Sequence, residues 1–152
     1  MVLRFEREPV PGFVQTPGGF TADAVELLTP SGNVQRVPYS EVKAVCFVRD
    51  FEEGDGWQRN RAYAARPKTP GLWVKLTFQD GDTTEGVIAN NLLLMEPAGF
   101  QVILPDPTLA GQRVFVPKEA LKEIVVLGVV GISAKKRPPK VTVDADGQLG
   151  LF

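Results

Sequence analysis

Few residues of this chain are of a type that could carry out catalysis. The 152-residue sequence contains no histidine, which removes the commonest acid–base group at neutral pH and the commonest metal ligand. Its single cysteine, Cys46, lies in the apolar run 45–48, where a buried structural thiol is expected rather than an exposed nucleophile. No spacing of carboxylates marks a general acid–base pair, so an enzyme that uses carboxylates alone is the last-ranked alternative. The residue types therefore predict a protein that is not an enzyme and that uses no metal or cofactor.

Basic residues interleaved with aromatic side chains indicate a second kind of chemistry, the binding of nucleic acid. Segment 52–70 and the segment after residue 131 each carry a basic cluster. The candidate residues are Arg59, Arg61, Arg66, Lys68, Lys135, Lys136 and Arg137. Such cations hold phosphates, and Trp57 and Tyr63 lie among them as candidate stacking platforms for bases. Because so few charges give modest phosphate affinity, solvated surface segments are the alternative interpretation for both clusters.

The last five residues offer a third kind of site, for a protein partner. Gln148, Leu149, Leu151 and Phe152 form a glutamine–leucine–small–leucine–phenylalanine pattern. This pattern resembles the short peptide with which bacterial replication and repair proteins bind the sliding clamp. In such a peptide the leucine and phenylalanine fill an apolar pocket, and the glutamine adds directional hydrogen bonds. The resemblance implies the clamp as a partner, and docking of the tail onto the chain's own core is the alternative.

Short strands are expected to position all of these residues. Thirteen prolines and fifteen glycines punctuate brief apolar runs, as in an all-β protein. Residues 72–78 alternate apolar and polar, and Asp80 with Gly81 is a strong hairpin signal before a return strand at 83–89. Further strands are expected at 25–29, 34–38, 44–50, 92–95, 100–104, 112–116 and 121–127, with one more at 3–7 or 12–15. The expected core is one cluster of Val74, Leu76, Phe78, Ile103, Phe115, Leu121 and Ile124.

Two parts of the chain share a sequence pattern. The run GNVQRVPYSEVKAV at 32–45 aligns without a gap on GQRVFVPKEALKEI at 111–124, so that Pro38 falls on Pro117 and Val45 on Ile124. We expect both prolines to end a strand and to be followed by one helical turn. The pattern predicts a small β module at 1–51, a linker at 52–70, a second β module at 71–130 and a tail at 131–152, with the repeat covering 25–48.

The second module resembles the Sm-like superfamily of small β-barrels. The resemblance covers residues 71–127 and is carried by VKLTFQDG at 74–81, EGVI at 85–88, NLLL at 91–94, VFVP at 114–117 and LKEI at 121–124. It implies five short, strongly curved antiparallel strands in a barrel, with the first module as a partial copy of the last three strands. Asn91 matches an asparagine of RNA-binding members, but no aromatic residue precedes it closely, and Pro117-Lys118 replaces their basic pair. The resemblance therefore implies the fold without the RNA site.

Composition limits the remaining classes of function. Hydrophobic residues make up 43% of the chain, enough for a packed core, and a net charge of −1 gives no overall field toward nucleic acid or membrane. No apolar run reaches about 18 residues, and residues 1–8 lack a signal-peptide core, so the bacterial cytoplasm is the expected location. The sequence thus predicts an adaptor that makes protein–protein contacts. The alternative is a nucleic-acid-binding module tethered to the sliding clamp, and homo-oligomerisation is left open.

Overall fold

The chain folds as an all-β protein. The computed structural model describes residues 1–16, 18–49, 51, 61–91, 97–105 and 113–132, together with the backbone of 142–143 and 149–150. This part of the chain forms twelve strands and a short 3₁₀ helix at Lys118–Ala120. The strands are β1 Val2–Arg4, β2 Arg7–Val10, β3 Ala24–Leu28, β4 Val34–Pro38, β5 Val42–Cys46, β6 Gly71–Phe78, β7 Thr83–Ile88, β8 Gly99–Ile103, β9 Arg113–Pro117, β10 Leu121–Val130, β11 Thr142–Val143 and β12 Leu149–Gly150.

Eight strands form one antiparallel sheet in the order β10-β6-β7-β8-β9-β5-β1-β2. Strand β3 pairs with β4, and β11 with β12, in two smaller ladders. The large sheet is open, with β10 at one edge and β2 at the other. Among the described residues the ladders do not close into a barrel, so an Sm-like barrel at 71–130 stays a proposal.

Much of the strand pairing is shared by the two halves of the chain. In the first half β1 pairs with β2 and β5, and β3 pairs with β4. In the second half β6 pairs with β7 and β10, and β8 pairs with β9, but β8 also pairs with β7, whereas β3 does not pair with β2. The sequence predicted one strand before residue 20, but the structure has two, β1 and β2, which are joined at Glu6 with a positive φ of 55°. Two strands this short give little periodic signal, which is why the hairpin was missed.

The turns after Pro38 and Pro117 have corresponding hydrogen bonds. Pro38 ends β4 and Pro117 ends β9. After Pro38, the backbone N–H of Val42 donates to the carbonyl of Tyr39 at 3.1 Å. After Pro117, the N–H of Leu121 donates to the carbonyl of Lys118. Each turn therefore spans about one helical turn and leads directly into the next strand, β5 or β10.

The two halves are joined by backbone pairing and by an ion-pair cluster. Strand β5 pairs with β9, so that Val45 lies opposite Phe115. The Lys43 ammonium lies 2.7 Å from a carboxylate oxygen of Asp80 and 2.9 Å from one of Asp82, in the β6–β7 turn. Through the β5–β9 pair, strands β5, β1 and β2 of the first half extend the sheet of the second half.

The core consists of two clusters rather than the single cluster that the sequence predicted. Val74, Leu76 and Phe78 are fully buried, as expected. Phe115 is also fully buried but belongs to the other cluster, where its ring centroid lies 4.5 Å from that of Phe20. Two of the predicted core residues, Ile103 and Leu121, are only partly buried. The prediction for Ile124 was wrong: its side chain is 37% exposed, because β10 has a strand neighbour on one side only in the described residues.

Candidate protein-docking edge

Strand β10 is an edge strand with the composition of a central strand. It spans Leu121–Val130 and reads LKEIVVLGVV. Strands with apolar residues on both faces normally lie between two other strands with both faces covered. Five large apolar side chains of β10 are instead substantially exposed, with Val126 the most exposed at 57%. They are Ile124, Val125, Val126, Leu127 and Val129.

The pairing of β10 leaves its outer edge open along the middle of the strand. Within the described residues β10 pairs only with β6, from Leu121 opposite Phe78 to Val130 opposite Gly71. The ladder is irregular between Leu121 and Glu123 and between Val126 and Gly128. Unpaired N–H and C=O groups on a sheet edge are a template for pairing with another chain.

Charged side chains protect the two ends of β10 against pairing with another strand, whereas the middle of the strand has no such protection in the described residues. Lys122 and Glu123 place charges near the first end. At the other end, an Arg66 guanidinium nitrogen donates to the carbonyl of Val129 at 2.5 Å. Charged residues of this kind are the usual means of protecting an edge. The unprotected stretch is therefore residues 124–127, which we call the open edge.

The opposite edge of the sheet is protected in the ordinary way. Strand β2 reads Arg7-Glu8-Pro9-Val10, and its first three residues are exposed. Charges and a proline, which cannot donate a backbone hydrogen bond, discourage pairing with another strand. The contrast with β2 makes the open edge of β10 the candidate docking surface among the described residues.

A comparison within the chain shows what covers such a strand. Extending the alignment of 32–45 with 111–124 by one residue places Cys46 on Val125, just as Val45 falls on Ile124. Val45 and Cys46 are each 1% exposed, because β9 pairs with β5 at these two residues. Ile124 and Val125 are 37% and 40% exposed. The two positions that β9 covers in the first half are therefore exposed at their equivalents in the second half.

The predicted nucleic-acid residues do not form one patch in the described part of the chain. Arg61 makes an ion pair with Asp82, beyond the last residue of β6. Arg66 contacts Val129, which lies opposite Leu72 near the first residue of β6. The two arginines therefore lie toward opposite ends of an eight-residue strand. Lys68 is exposed, and Arg59, Lys135, Lys136 and Arg137 lie outside the described residues.

Segment 61–70, predicted as part of a linker, is fixed on the sheet. A Glu85 carboxylate oxygen accepts hydrogen bonds from the backbone N–H of Tyr63 at 3.0 Å and from the indole N–H of Trp73 at 3.1 Å. The Tyr63 hydroxyl donates to the carbonyl of Ile103 at 2.8 Å. Burial, together with the Glu85 charge, raises the pKa of Tyr63 to about 12. Tyr63 therefore holds segment 61–70 on the sheet through the hydrogen bond of its hydroxyl.

The remaining sequence candidates occupy separate places. Cys46 forms no disulfide, and its side chain is buried in the core, as expected of a structural cysteine. Lys118 is exposed, with its ammonium 5.8 Å from the centroid of the Phe100 ring. The backbone of Leu149 pairs with Val143 in the β11–β12 ladder. Gln148, Leu151 and Phe152 lie outside the described residues.

The described residues contain no group of three or more histidine, cysteine or carboxylate side chains that could hold a metal ion. They also contain no helix of the length and apolarity needed to cross a membrane.

The sequence correctly predicted a strand over 121–127 but placed Ile124 of the open edge in the core. The apolar run at 124–127 follows Lys122 and Glu123 directly and shows no alternation. Such a run indicates a strand covered on both faces. It does not say whether that cover comes from the same chain or from another one.

Comparison with known proteins gives one family match. The model of DUF6982, a family of unknown function, matches residues 1–128, which include β1–β9 and most of β10. No curated protein and no solved structure matches the chain. Because the family model covers well over half of the sequence, this chain belongs to the DUF6982 family.

Proposed function

We propose that this protein is a non-enzymatic adaptor of the bacterial cytoplasm that binds protein at the open edge of β10. The observation that carries the proposal is the run 124–127, which is apolar and exposed and which no strand covers in the described residues. An exposed edge of this kind accepts an extended segment as an additional strand. Backbone hydrogen bonds then supply affinity, and side chains on alternate faces supply specificity.

The chemistry of the open edge favours protein over nucleic acid. Its four residues, Ile124, Val125, Val126 and Leu127, carry no charge. Phosphate binding depends on clusters of lysine and arginine. Arg66, at the end of β10, already donates to the carbonyl of Val129. An apolar edge beside an arginine that is already hydrogen-bonded within the chain is better suited to an uncharged β-strand than to a phosphate backbone.

We also propose that strands β6–β10 form an Sm-like barrel and that the first half is a related copy. The five strands follow one another in the order β10-β6-β7-β8-β9. The 3₁₀ helix at Lys118–Ala120 turns the chain from β9 into β10. The shared pairing scheme of the two halves and the corresponding turns after Pro38 and Pro117 support a duplication.

Site-specific photo-crosslinking tests the proposed function. Val126 is replaced by a photoreactive phenylalanine analogue in cells that make the protein, and Glu8 on the protected edge β2 is replaced in the matched control. We expect protein adducts at position 126 and few at position 8. Adding V125D to the position-126 protein should reduce the adducts, because a carboxylate on the open edge opposes strand addition.

The composition of the adducts decides between the two function classes. Protein adducts that persist after nuclease treatment support the adaptor. Adducts to nucleic acid would favour the alternative module, which would use Arg61, Arg66, Lys68 and the basic tail. No adduct at position 126 would contradict docking at the open edge.

A further inference from the structure

We propose that segment 148–152 docks in an apolar groove of its own chain, formed by segments 12–14 and 45–51. The proposal goes beyond the open edge of β10 and does not use it. It assigns a second binding partner, within the chain, to the glutamine–leucine–small–leucine–phenylalanine pattern of that segment.

The groove lies beside the end of β5 and is lined by aromatic side chains. Its volume is about 320 Å³, at the lower end of the range for ligand pockets, which suits a pair of large side chains. Phe13 and Phe47 are 63% and 41% exposed, and the ring centroids of Phe13 and Phe51 lie 5.5 Å apart. Met1 and Val48 line the groove beside these rings. Exposed apolar side chains grouped in a concave surface mark a binding site.

Segment 148–152 carries the side chains that such a groove accepts. Leu149, Leu151 and Phe152 are large and apolar, and the last two are adjacent in sequence. Burying a leucine and a phenylalanine side chain removes a large apolar area from water. Aromatic rings also favour edge-to-face packing, the arrangement that Phe13 and Phe51 already have with each other.

The charge at the groove is complementary to the residues that precede segment 148–152. Arg49 lines the groove and is exposed, and no carboxylate is among the described residues that line it. Asp144 and Asp146 lie shortly before Gln148. Because exposed ion pairs contribute little energy, we assign to these charges the orientation of the segment and to apolar burial its affinity.

One row of directly opposed residues crosses the large sheet from the end of β10 to the groove. The row passes through six neighbouring strands and consists of Val129, Leu72, Ile88, Val102, Val114 and Cys46. Val129 is the residue before the last of β10, and Cys46 lines the groove. Because neighbouring strands lie about 4.8 Å apart, the two ends of the row are separated by about 24 Å along the sheet.

The chain that follows β10 is long enough to cover this distance. The β11–β12 ladder places Gly150 opposite Thr142, so the span to be covered runs from Ile132 to Thr142. This span has about ten residues and includes two prolines, and a proline-rich segment of that length reaches about 30 Å at about 3.1 Å per residue. Leu151 and Phe152 can therefore reach the groove while the ladder stays intact.

Docking in the groove competes with binding of the same residues to a sliding clamp. Leu151 and Phe152 are also the side chains that fill the apolar pocket in the clamp-binding pattern. One pair of side chains cannot fill two pockets at once. A full chain whose segment 148–152 is docked should therefore bind a clamp more weakly than the isolated peptide, in proportion to the undocked fraction.

Photo-crosslinking within the full chain tests the proposal without a clamp. Phe152 is replaced by a photoreactive phenylalanine analogue, and the purified protein is irradiated at submicromolar concentration. Mass spectrometry of the digested protein locates the adducts, and a mixture of isotope-labelled and unlabelled protein separates adducts within one chain from adducts between chains. We expect adducts within one chain, in peptides that contain 12–14 or 45–51.

A charge placed in the groove should prevent docking. In F13D we expect the yield of these adducts to fall at least about fivefold, because a carboxylate in an apolar groove opposes burial of the segment. V34D is the matched control, because Val34 is 75% exposed and does not line the groove. Far-UV circular dichroism checks that both variants keep their strands, and F13K with V34K replaces the aspartate pair if either does not.

The position of the adducts decides the outcome. Adducts in 121–130 would place segment 148–152 on the open edge of β10 and overturn docking in the groove. Adducts between chains would overturn docking within one chain. Equal yields in F13D and V34D, or no adduct in 12–14 and 45–51, would also overturn the proposal. None of these results bears on the adaptor, which is tested by the capture of protein at position 126.

Discussion

Val45 lies opposite Phe115 in the antiparallel pair of β5 and β9, and this pair joins strands from both halves of the chain in one sheet. Both side chains are buried, with Val45 only 1% exposed. Lys43, two residues before Val45, makes ion pairs with the β6–β7 turn of the other half. Unfolding of either half should therefore expose core residues of the other, and we expect the described sheet to unfold as one cooperative unit.

Truncation of Phe115 should destabilise both halves together. Its ring centroid lies 4.5 Å from that of Phe20 and 6.2 Å from that of Tyr39, so F115A leaves a large cavity in the second core cluster. We expect a loss of about 3–5 kcal/mol in the free energy of unfolding. Urea titration followed by circular dichroism measures the loss. F13A is the control, because Phe13 is exposed, and its cost should stay below about 1 kcal/mol. A similarly small loss in F115A would contradict its assignment to the core.

Tyr63 should make stability fall at alkaline pH. Its folded-state pKa is raised to about 12, whereas an unfolded tyrosine titrates near 10, so the folded state favours the neutral phenol. This contribution is fully present below pH 10 and is lost as the pH rises from 10 through 12. Because the side chain is only about half buried, we expect its loss to cost about 1–2 kcal/mol after solvent screening. Urea titrations at increasing pH should show a shallower alkaline decline in Y63F.

The ionisation of Tyr63 can be measured directly. The chain has two tyrosines, so Y39F leaves Tyr63 as the sole phenol. Its ultraviolet absorbance titration should have a midpoint near pH 12 while the protein remains folded. A midpoint near 10 would mean that Tyr63 is neither buried nor close to the Glu85 charge.

The tail makes a separate prediction about the sliding clamp. A labelled peptide of residues 141–152 should bind a purified bacterial clamp with a dissociation constant on the order of micromolar, because five residues offer few anchors. Replacing Leu151 and Phe152 with alanine should abolish binding, and a scrambled peptide of equal composition is the control. Absence of saturable binding in fluorescence anisotropy would remove the clamp as a partner.

Local patterns predicted the elements of the second half well. Val74, Leu76 and Phe78 alternate with polar residues and are all buried, because a strand repeats every two residues. Gly81 adopts a positive φ of 85° between β6 and β7, where Asp80-Gly81 signalled a hairpin. These features depend on residues close in sequence.

Long-range pairing could not be read in the same way. Val45 and Ile124 lie in similar local sequences, yet Val45 is buried and Ile124 is exposed. The difference comes from β9, which pairs with β5 and not with β10. Arg61 and Arg66 are close in sequence, but their contacts with Asp82 and Val129 direct them toward opposite ends of β6. The candidate site therefore emerged from sheet order rather than from a motif.

Hydrogen–deuterium exchange read by mass spectrometry tests the open edge most directly. The full chain is labelled alone and with the purified protein that is captured at position 126, and peptides covering 121–130 are compared with peptides covering the protected edge at 7–10. We expect exchange in 121–130 to slow when this partner is added, because docking on the open edge pairs its backbone N–H groups, whereas exchange at 7–10 should stay unchanged. The V126D variant should show no such change in 121–130. Binding of the partner without slower exchange in 121–130 would contradict the assignment of β10 as the docking edge.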